Sequence, residues 1–233
     1  MKEIRWEQYA GENGSRRRIV ALQKRLDRVY GPFVPKRRLD PVDELILTVL
    51  SQNTNDLNSD RAYGNLRRRF PTWREVLDAP VRDIEREIRV GGLSRNKSKA
   101  IKAILQEIKA RHGKISLDHL KQASMQDALD ELTSLPMVGL KTASCVLLFS
   151  LGRASMPVDT HVHRLSTRLG LVKDKSSADQ TYHVLMAITP EELIYVFHLN
   201  LIQHGRTICK SQHPRCSECV LNKLCPSAQL SCV

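Results

Sequence analysis

Apolar residues recur at helical rather than strand spacing through most of this chain. In DPVDELILTVL, residues 40–50, Val42, Leu45, Ile46, Val49 and Leu50 follow steps of three and four, which align them along one face of a helix. Asp40 can accept a hydrogen bond from the first turn, and Pro41 suits the first helical position. The same period returns at Ile101, Ile104, Leu105 and Ile108 and at Val184, Leu185 and Ile188, with further helix starts at Thr72 before WREVL and Ser124 before MQDALDEL. No two segments alternate polar and apolar residues as paired strands do, so the chain is read as all-α. The stripe residues are core. Gly11 to Ser15, Pro32 to Pro35 and Gly152 to Pro157 are the best punctuation between segments, and no long low-complexity linker interrupts them.

With 233 residues the chain can bury a sizeable core without disulfides. Six cysteines are too few for a disulfide scaffold, and MKEIRWEQYAGENGSRRR lacks the apolar core of a secretory signal. A reduced, intracellular and cytoplasmic setting is the expectation. The longest apolar run, CVLLFSL at 145–151, falls far short of the ~20 residues that span a bilayer, so no membrane partner is expected. Thirty-seven Lys and Arg against twenty-five Asp and Glu give a formal charge of +12, spread along the whole chain. That surplus suits a polyanion such as nucleic acid, whose condensed counterions are released when its phosphates are neutralised.

Four of the six cysteines, Cys209, Cys216, Cys219 and Cys225, form C-x6-C-x2-C-x5-C. Thiolates this close in sequence can converge on one centre, either tetrahedral zinc or a four-iron, four-sulfur cluster, and ligand type alone does not separate the two. Cys145 reads as a small buried residue and Cys232 as part of a frayed tail. Upstream, LTSLPMVGLKTASCVLLFSLG at 132–152 reads as a polar helix end, a tight turn with Pro136, and an apolar helix from about Leu140. Such a hairpin can direct backbone N–H groups and a helix N-terminus at a phosphate. On these residues alone an ordinary αα turn is the simpler reading.

The cysteine spacing resembles the cluster signature of the endonuclease III family of DNA glycosylases. LPMVGLKTAS resembles that family's helix-hairpin-helix, commonly LPGVGRKTA, and PVDTHVHRL at 157–165 resembles its following VDTHV segment. LSQNTND at 50–56 and GGLSRNKSKAI at 91–101 fall in the family's order, so the likeness runs from about Leu39 to Pro226. It implies a [4Fe-4S] cluster on the four cysteines and two helical domains with a DNA-binding cleft between them. A central six-helix domain with the hairpin, near 33–153, would be inserted into a composite domain of 1–32 and 154–233 that carries the cluster. The implied partner is double-stranded DNA with a damaged base or abasic site, bound by a monomer associated with the nucleoid.

The chemistry can be followed from the residues. An enzyme that works on a base must extrude the nucleotide, which costs least for damaged or mispaired bases. Breaking the glycosidic bond builds positive charge on the sugar, which a carboxylate stabilises while an amine captures C1′. The resemblance places Lys141 and Asp159 in these two roles, with β-elimination from a Lys141 Schiff base nicking the strand. A free lysine, with pKa ~10.4, is protonated at neutral pH, so desolvation or cationic neighbours must depress it. A nearby carboxylate opposes that shift, so Asp159 is assigned to sugar stabilisation and proton shuttling. The plainer alternative is a solvated Lys141 and an Asp159 that only caps the helix of THVHRL.

Further roles carry over from the family. Leu93 matches a wedge that enters the duplex, with packing of its own turn as the alternative. Asn53 aligns with a gap-filling glutamine, and Gln52 lies one position early. Met137 replaces the hairpin's first glycine, so the turn must adjust if that position needs a positive φ; Gly139 remains. Lys210 and Arg215 could touch phosphates, and neither His161 nor His163 is read as a ligand. The expected activity is a bifunctional glycosylase and lyase for oxidised pyrimidines. The alternatives are a mismatch-directed uracil or thymine glycosylase and a cluster-bearing DNA-binding protein that does not cut.

Overall fold

In the computed structural model, residues 5–31, 33 and 38–230 are described, without the side chains of 229 and 230. Cys232 and all of Pro32 to Pro35 except Phe33 lie outside the described residues. The helices are α1 (Arg16–Tyr30), α2 (Pro41–Ser51), α3 (Asp56–Arg69), α4 (Trp73–Asp78), α5 (Val81–Glu87), α6 (Ser94–His112), α7 (Met125–Thr133), α8 (Leu140–Cys145), α9 (Thr160–Arg168), α10 (Ala178–Ile188), α11 (Ile194–Thr207) and α12 (Pro226–Leu230). Among the described residues the only β pairing is an isolated bridge between Ala10 and Val172. Two compact units emerge, residues 37–153 and residues 1–36 with 154–233.

The 37–153 unit is built around α2, which packs against α3, α6 and α8. Its whole stripe from Val42 to Leu50 is excluded from solvent, and Ile101, Ile104, Leu105 and Ile108 meet it from α6. Each of those side chains contributes roughly 1.5–3 kcal/mol of apolar burial. Local sequence sets the helix starts. Asp40 accepts from Val42 N–H, Ser124 from Asp127 N–H, and Thr72 with Glu75 forms a reciprocal capping box. α6 stops at Gly113, whose φ of 70° is the left-handed conformation that glycine adopts without steric cost. After α8 the helix widens into π-type turns over Val146–Ser150.

In the other unit α11 packs on α1 and α9, burying Ile19, Leu22, Leu26, Phe197 and Leu201. Ser15 caps α1, and Ser177 with Gln180 forms a capping box on α10. Gly11 is required where it stands, because a Cβ there would lie 2.4 Å from the carbonyl oxygen of Gly170.

Candidate nucleic-acid interface and thiolate centre

α7 ends at Thr133, Val138 N–H returns to the Leu135 carbonyl, and Gly139 opens α8. Residue 137 in this turn has φ 58°. The turn has not adjusted to Met137; the methionine takes the left-handed conformation itself, at a cost of about 1–2 kcal/mol, and stays 43% exposed. Gly139 is neither left-handed, with φ −93°, nor crowded, since a Cβ there would meet open space. Its bare backbone keeps the start of α8 clear.

Two further loops of the same unit share this strain. Asn53 has φ 52° and Leu93 φ 48°. Among the described residues, Asn53, Leu93 and Met137 are all the non-glycine residues of 37–153 with positive φ, and all three are among the contacts expected from sequence. Leu93 is 53% exposed. Strain held at exposed positions, with no burial to offset it, is a mark of functional loops.

The three loops are tied together from below. Gln52 Nε2 donates to the Met137 carbonyl at 3.1 Å and lies 3.4 Å from Thr142 Oγ1, so the Gln52 amide braces the hairpin while Asn53 remains exposed. Lys97, with no exposed surface, donates from Nζ to the carbonyls of Leu50 at 2.7 Å and Gly91 at 2.8 Å. It thereby joins the end of α2 to the Gly91–Gly92–Leu93 turn. Sequence reasoning missed Lys97, although it stands four residues before Ile101 and continues the buried stripe of α6.

Lys141 is half-buried in the first turn of α8. On α2, half-buried Glu44 has its carboxyl pushed above the ordinary range by burial, while the Thr48 hydroxyl and the Lys141 charge pull it down. Glu44 was also missed, because a polar residue in an amphipathic helix reads as part of its solvated side. In the other unit, Asp159 is the N-cap of α9 and accepts from Val162 N–H at 2.8 Å. Asp159 thus caps the helix of THVHRL, a role compatible with chemistry, and a cap of this kind keeps the carboxylate at the positive end of the helix. His163 Nε2 lies 2.8 Å from the Ser176 carbonyl and His161 Nδ1 3.0 Å from Arg164.

The four cysteines line one cavity of about 240 Å³, with Arg168, Ile208, Pro214, Arg215, Ser227 and Ala228 completing its wall. None of Cys209, Cys216, Cys219 and Cys225 is in a disulfide. Burial pushes the Cys219 thiol up to about 11, and the other three cysteines add to it. Burial likewise raises Cys225. Four thiolates in one cavity repel one another, so a cationic centre is what lets them all ionise.

Hydrogen-bond donors already face the sulfurs. Arg168 reaches Cys209 Sγ at 3.3 Å and the carbonyls of Lys210 and Ser211 at 2.7 and 2.9 Å. Burial lowers His204 to about 4, so its imidazole is neutral. Tyr30 Oη lies 2.9 Å from His204 Nδ1 and Cys219 Sγ 3.3 Å from His204 Nε2; in the tautomer protonated at Nε2 the ring donates to that sulfur. Arg164 adds bonds to the Cys209 and Gly205 carbonyls. Arg164 and Arg168 lie one turn apart on α9; the i, i+4 spacing was legible, its target was not. Arg215 is engaged with Glu218 and the Thr207 carbonyl, both at 2.9 Å, whereas Lys210 is exposed.

Residues 46–191 match the HhH-GPD superfamily of base excision DNA repair proteins. Endonuclease III of Thermotoga maritima is 36% identical over 81% of this chain and 84% of its own length. The chain belongs to the endonuclease III family. An Arabidopsis thaliana protein named for DNA glycosylase activity is 37% identical over 82% of this chain, which spans 62% of that longer protein. Among solved structures, an endonuclease III trapped as a covalent intermediate with DNA superimposes with a TM-score of 0.81 at 28% identity, over 94% of this chain and 99% of that one.

Proposed function

We propose that this chain is a base excision repair DNA glycosylase with abasic-site lyase activity, acting on oxidised pyrimidines in duplex DNA. The observation that carries the reading is Lys141 in the first turn of the hairpin helix of a chain in the endonuclease III family. Lys141 Nζ attacks C1′ of the extruded nucleotide, the C1′–N bond breaks, and the base leaves with a proton. The sugar ring then opens: the C1′–O4′ bond breaks as the lysine nitrogen forms a C1′=N double bond, and O4′ takes up a proton. This Schiff base acidifies C2′, and loss of the C2′ proton expels the 3′-phosphate and nicks the strand. Asp159 supplies negative charge near the sugar as positive charge builds there. Release of free base without nicking would favour the mismatch-directed alternative.

The exposed, strained Leu93 suits the part of a wedge that fills the stack a flipped base leaves. Asn53 suits pairing with the orphaned base, since its amide offers both donor and acceptor. Gly139 and Met137 would lie against the phosphate backbone, with Lys210 adding a positive charge; Arg215 would do so only by leaving Glu218.

The four cysteines fit a [4Fe-4S] cluster. The cavity of about 240 Å³ that they share with six other residues has room for a polynuclear centre, and the choice of an iron–sulfur cluster over zinc rests on the C-x6-C-x2-C-x5-C spacing in a chain of the endonuclease III family. The N–H donors of Arg168 and His204 match what cluster sulfurs accept. A coordinatively saturated cluster supplies a covalent staple for the loop rather than a reactive site. Four uncrosslinked thiols fit a reduced compartment, and we place the enzyme there as a monomer.

The test is borohydride trapping on a duplex carrying one thymine glycol, with base release followed in parallel for wild type and Lys141→Ala. A covalent adduct that requires Lys141 is the expected result. An adduct of equal yield with Lys141→Ala removes Lys141 from its role, and release of free base without an adduct rejects the lyase step.

A further inference from the structure

Away from Lys141, the thiolates and the strained loops, three side chains from separate segments of the 37–153 unit converge. His112 ends α6, His119 lies in the short 3-10 turn Asp118–Lys121, and Glu131 is on α7. His112 Nε2 is 2.8 Å from Glu131 Oε1, and His119 Nε2 is 2.9 Å from Oε2 and 3.1 Å from Oε1. The imidazole rings are 4.2 Å apart between centroids, and one donor atom from each residue falls within 4.8 Å of the others. The two imidazoles hold the Glu131 carboxyl below its ordinary value despite its partial burial.

We infer that His112, His119 and Glu131 form a binding site for a divalent cation of the zinc type. The donor set, two imidazole nitrogens and a carboxylate, is one that zinc takes when three protein ligands leave a fourth position for water. Donors ~2.0–2.1 Å from a tetrahedral ion lie ~3.3 Å from one another; the imidazole–carboxylate spacings of 2.8–3.1 Å need open only slightly to admit the metal, and the three donor atoms already lie within 4.8 Å of one another. Binding replaces the N–H···O bonds by metal–ligand bonds. Any proton on either Nε2 moves to Nδ1 or to solvent, because the neutral imidazole is the ligand. The side chains are 25%, 39% and 22% exposed for His112, His119 and Glu131, so an ion can enter without unfolding.

The site has a structural consequence. A cation there would fasten the end of α6 and the 118–121 turn to α7, the helix that leads into the turn carrying Met137. Without the metal that junction is held by the buried Ile108, Leu120, Ala128 and Leu132, by the histidine–glutamate bonds, and by Arg111 donating to Ser134 Oγ at 2.7 Å. Binding would shift the stability of the hairpin's first arm through ordinary ligand linkage.

The test is calorimetric titration of the purified full chain, its thiolate centre loaded as isolated, with zinc chloride. Wild type is compared with His119→Ala and Glu131→Gln, and hydrogen exchange is measured with and without the metal. One zinc per chain in wild type, at least about 100-fold weaker in both variants, with metal-dependent protection of α7, is the expected result. Absence of stoichiometric binding in wild type overturns the inference. So does binding that persists in both variants, since it places the zinc on other donors such as the cysteines. Because the readouts are binding and exchange, the outcome is independent of whether Lys141 performs the proposed chemistry.

Discussion

Lys97→Met isolates the contribution of a buried ammonium that never touches a ligand. Methionine preserves most of the aliphatic volume, so the change removes the two bonds to the Leu50 and Gly91 carbonyls with little cavity. Each carbonyl left unsatisfied costs about 1–3 kcal/mol, roughly 2–6 together. Part is returned because the ammonium no longer has to be desolvated. Leu50 lies in the last turn of α2, where a carbonyl lacks an intrahelical partner and a cation is favoured by the helix dipole, so the return is incomplete. A net loss of about 2–3 kcal/mol is expected in urea unfolding.

The pH dependence has a definite sign. Burial pushes the Lys97 ammonium below its ordinary value, so in the alkaline range the unfolded chain binds more protons than the folded one. Wild-type stability should therefore rise as pH climbs from the depressed folded value towards the usual lysine pKa, and Lys97→Met should lack that increment. Because Lys97 joins the segments bearing Asn53 and Leu93, affinity for duplex with an abasic site should fall as well. A Met variant that matches wild type within about 0.5 kcal/mol and binds the duplex equally would refute the argument that this lysine holds the loops.

Asp159→Asn separates capping from chemistry: asparagine caps about as well as aspartate, so stability should hold within about 0.5 kcal/mol while base release and nicking fall at least ~100-fold, and retained activity would leave the residue a cap alone. Met137→Gly removes the left-handed strain at the expense of glycine's greater unfolded-state entropy, for a net gain of about 0.5–1 kcal/mol in thermal or urea unfolding. Should the variant be no more stable, the strain at 137 is illusory. Arg168→Ala deletes the donor to Cys209 Sγ and two carbonyl bonds, so iron per chain should drop and visible absorbance should bleach faster in air; equal iron content and bleaching would count against the fit of this shell to a cluster.

The helices and their starts were legible because their causes are local. Asp40, Thr72 and Ser124 cap within three residues of their own positions, and an apolar stripe announces its buried face whatever it packs against. That Cys209, Cys216, Cys219 and Cys225 would share one cavity was legible from spacing. The polar residues that organise these features were not, because their partners are remote. Lys97 and Leu50 are 47 positions apart, and Arg168 and Cys209 are 41 apart. A lysine or arginine on an amphipathic helix reads as solvated until the segment that buries it is known. His112, His119 and Glu131 escaped for the same reason, being spread over three elements with no metal-ligand spacing. Met137 was a different case. Its departure from glycine was visible, but that the turn would keep a positive φ and leave the methionine strained was decided by the hairpin's own hydrogen bonds.

The wiring around the cysteines gives a reason for a covalent centre in this place. Residues 209–225 offer few apolar side chains; Leu221 is fully buried, while lysine, arginine, serine and glutamate take much of the rest. Such a segment cannot repay its ordering entropy by hydrophobic burial. The four metal–thiolate bonds of the proposed cluster would, and the hydrogen bonds would then transmit that order to α9. Arg164 and Arg168 grip the Cys209 to Ser211 backbone, and Ser227 Oγ, 2.9 Å from the Arg168 carbonyl, closes the C-terminal end of that helix. Asp159 caps the opposite end of the same helix. Loosening the loop should therefore reach the carboxylate proposed for catalysis through one short helix of nine residues, without any cluster atom taking part in the chemistry.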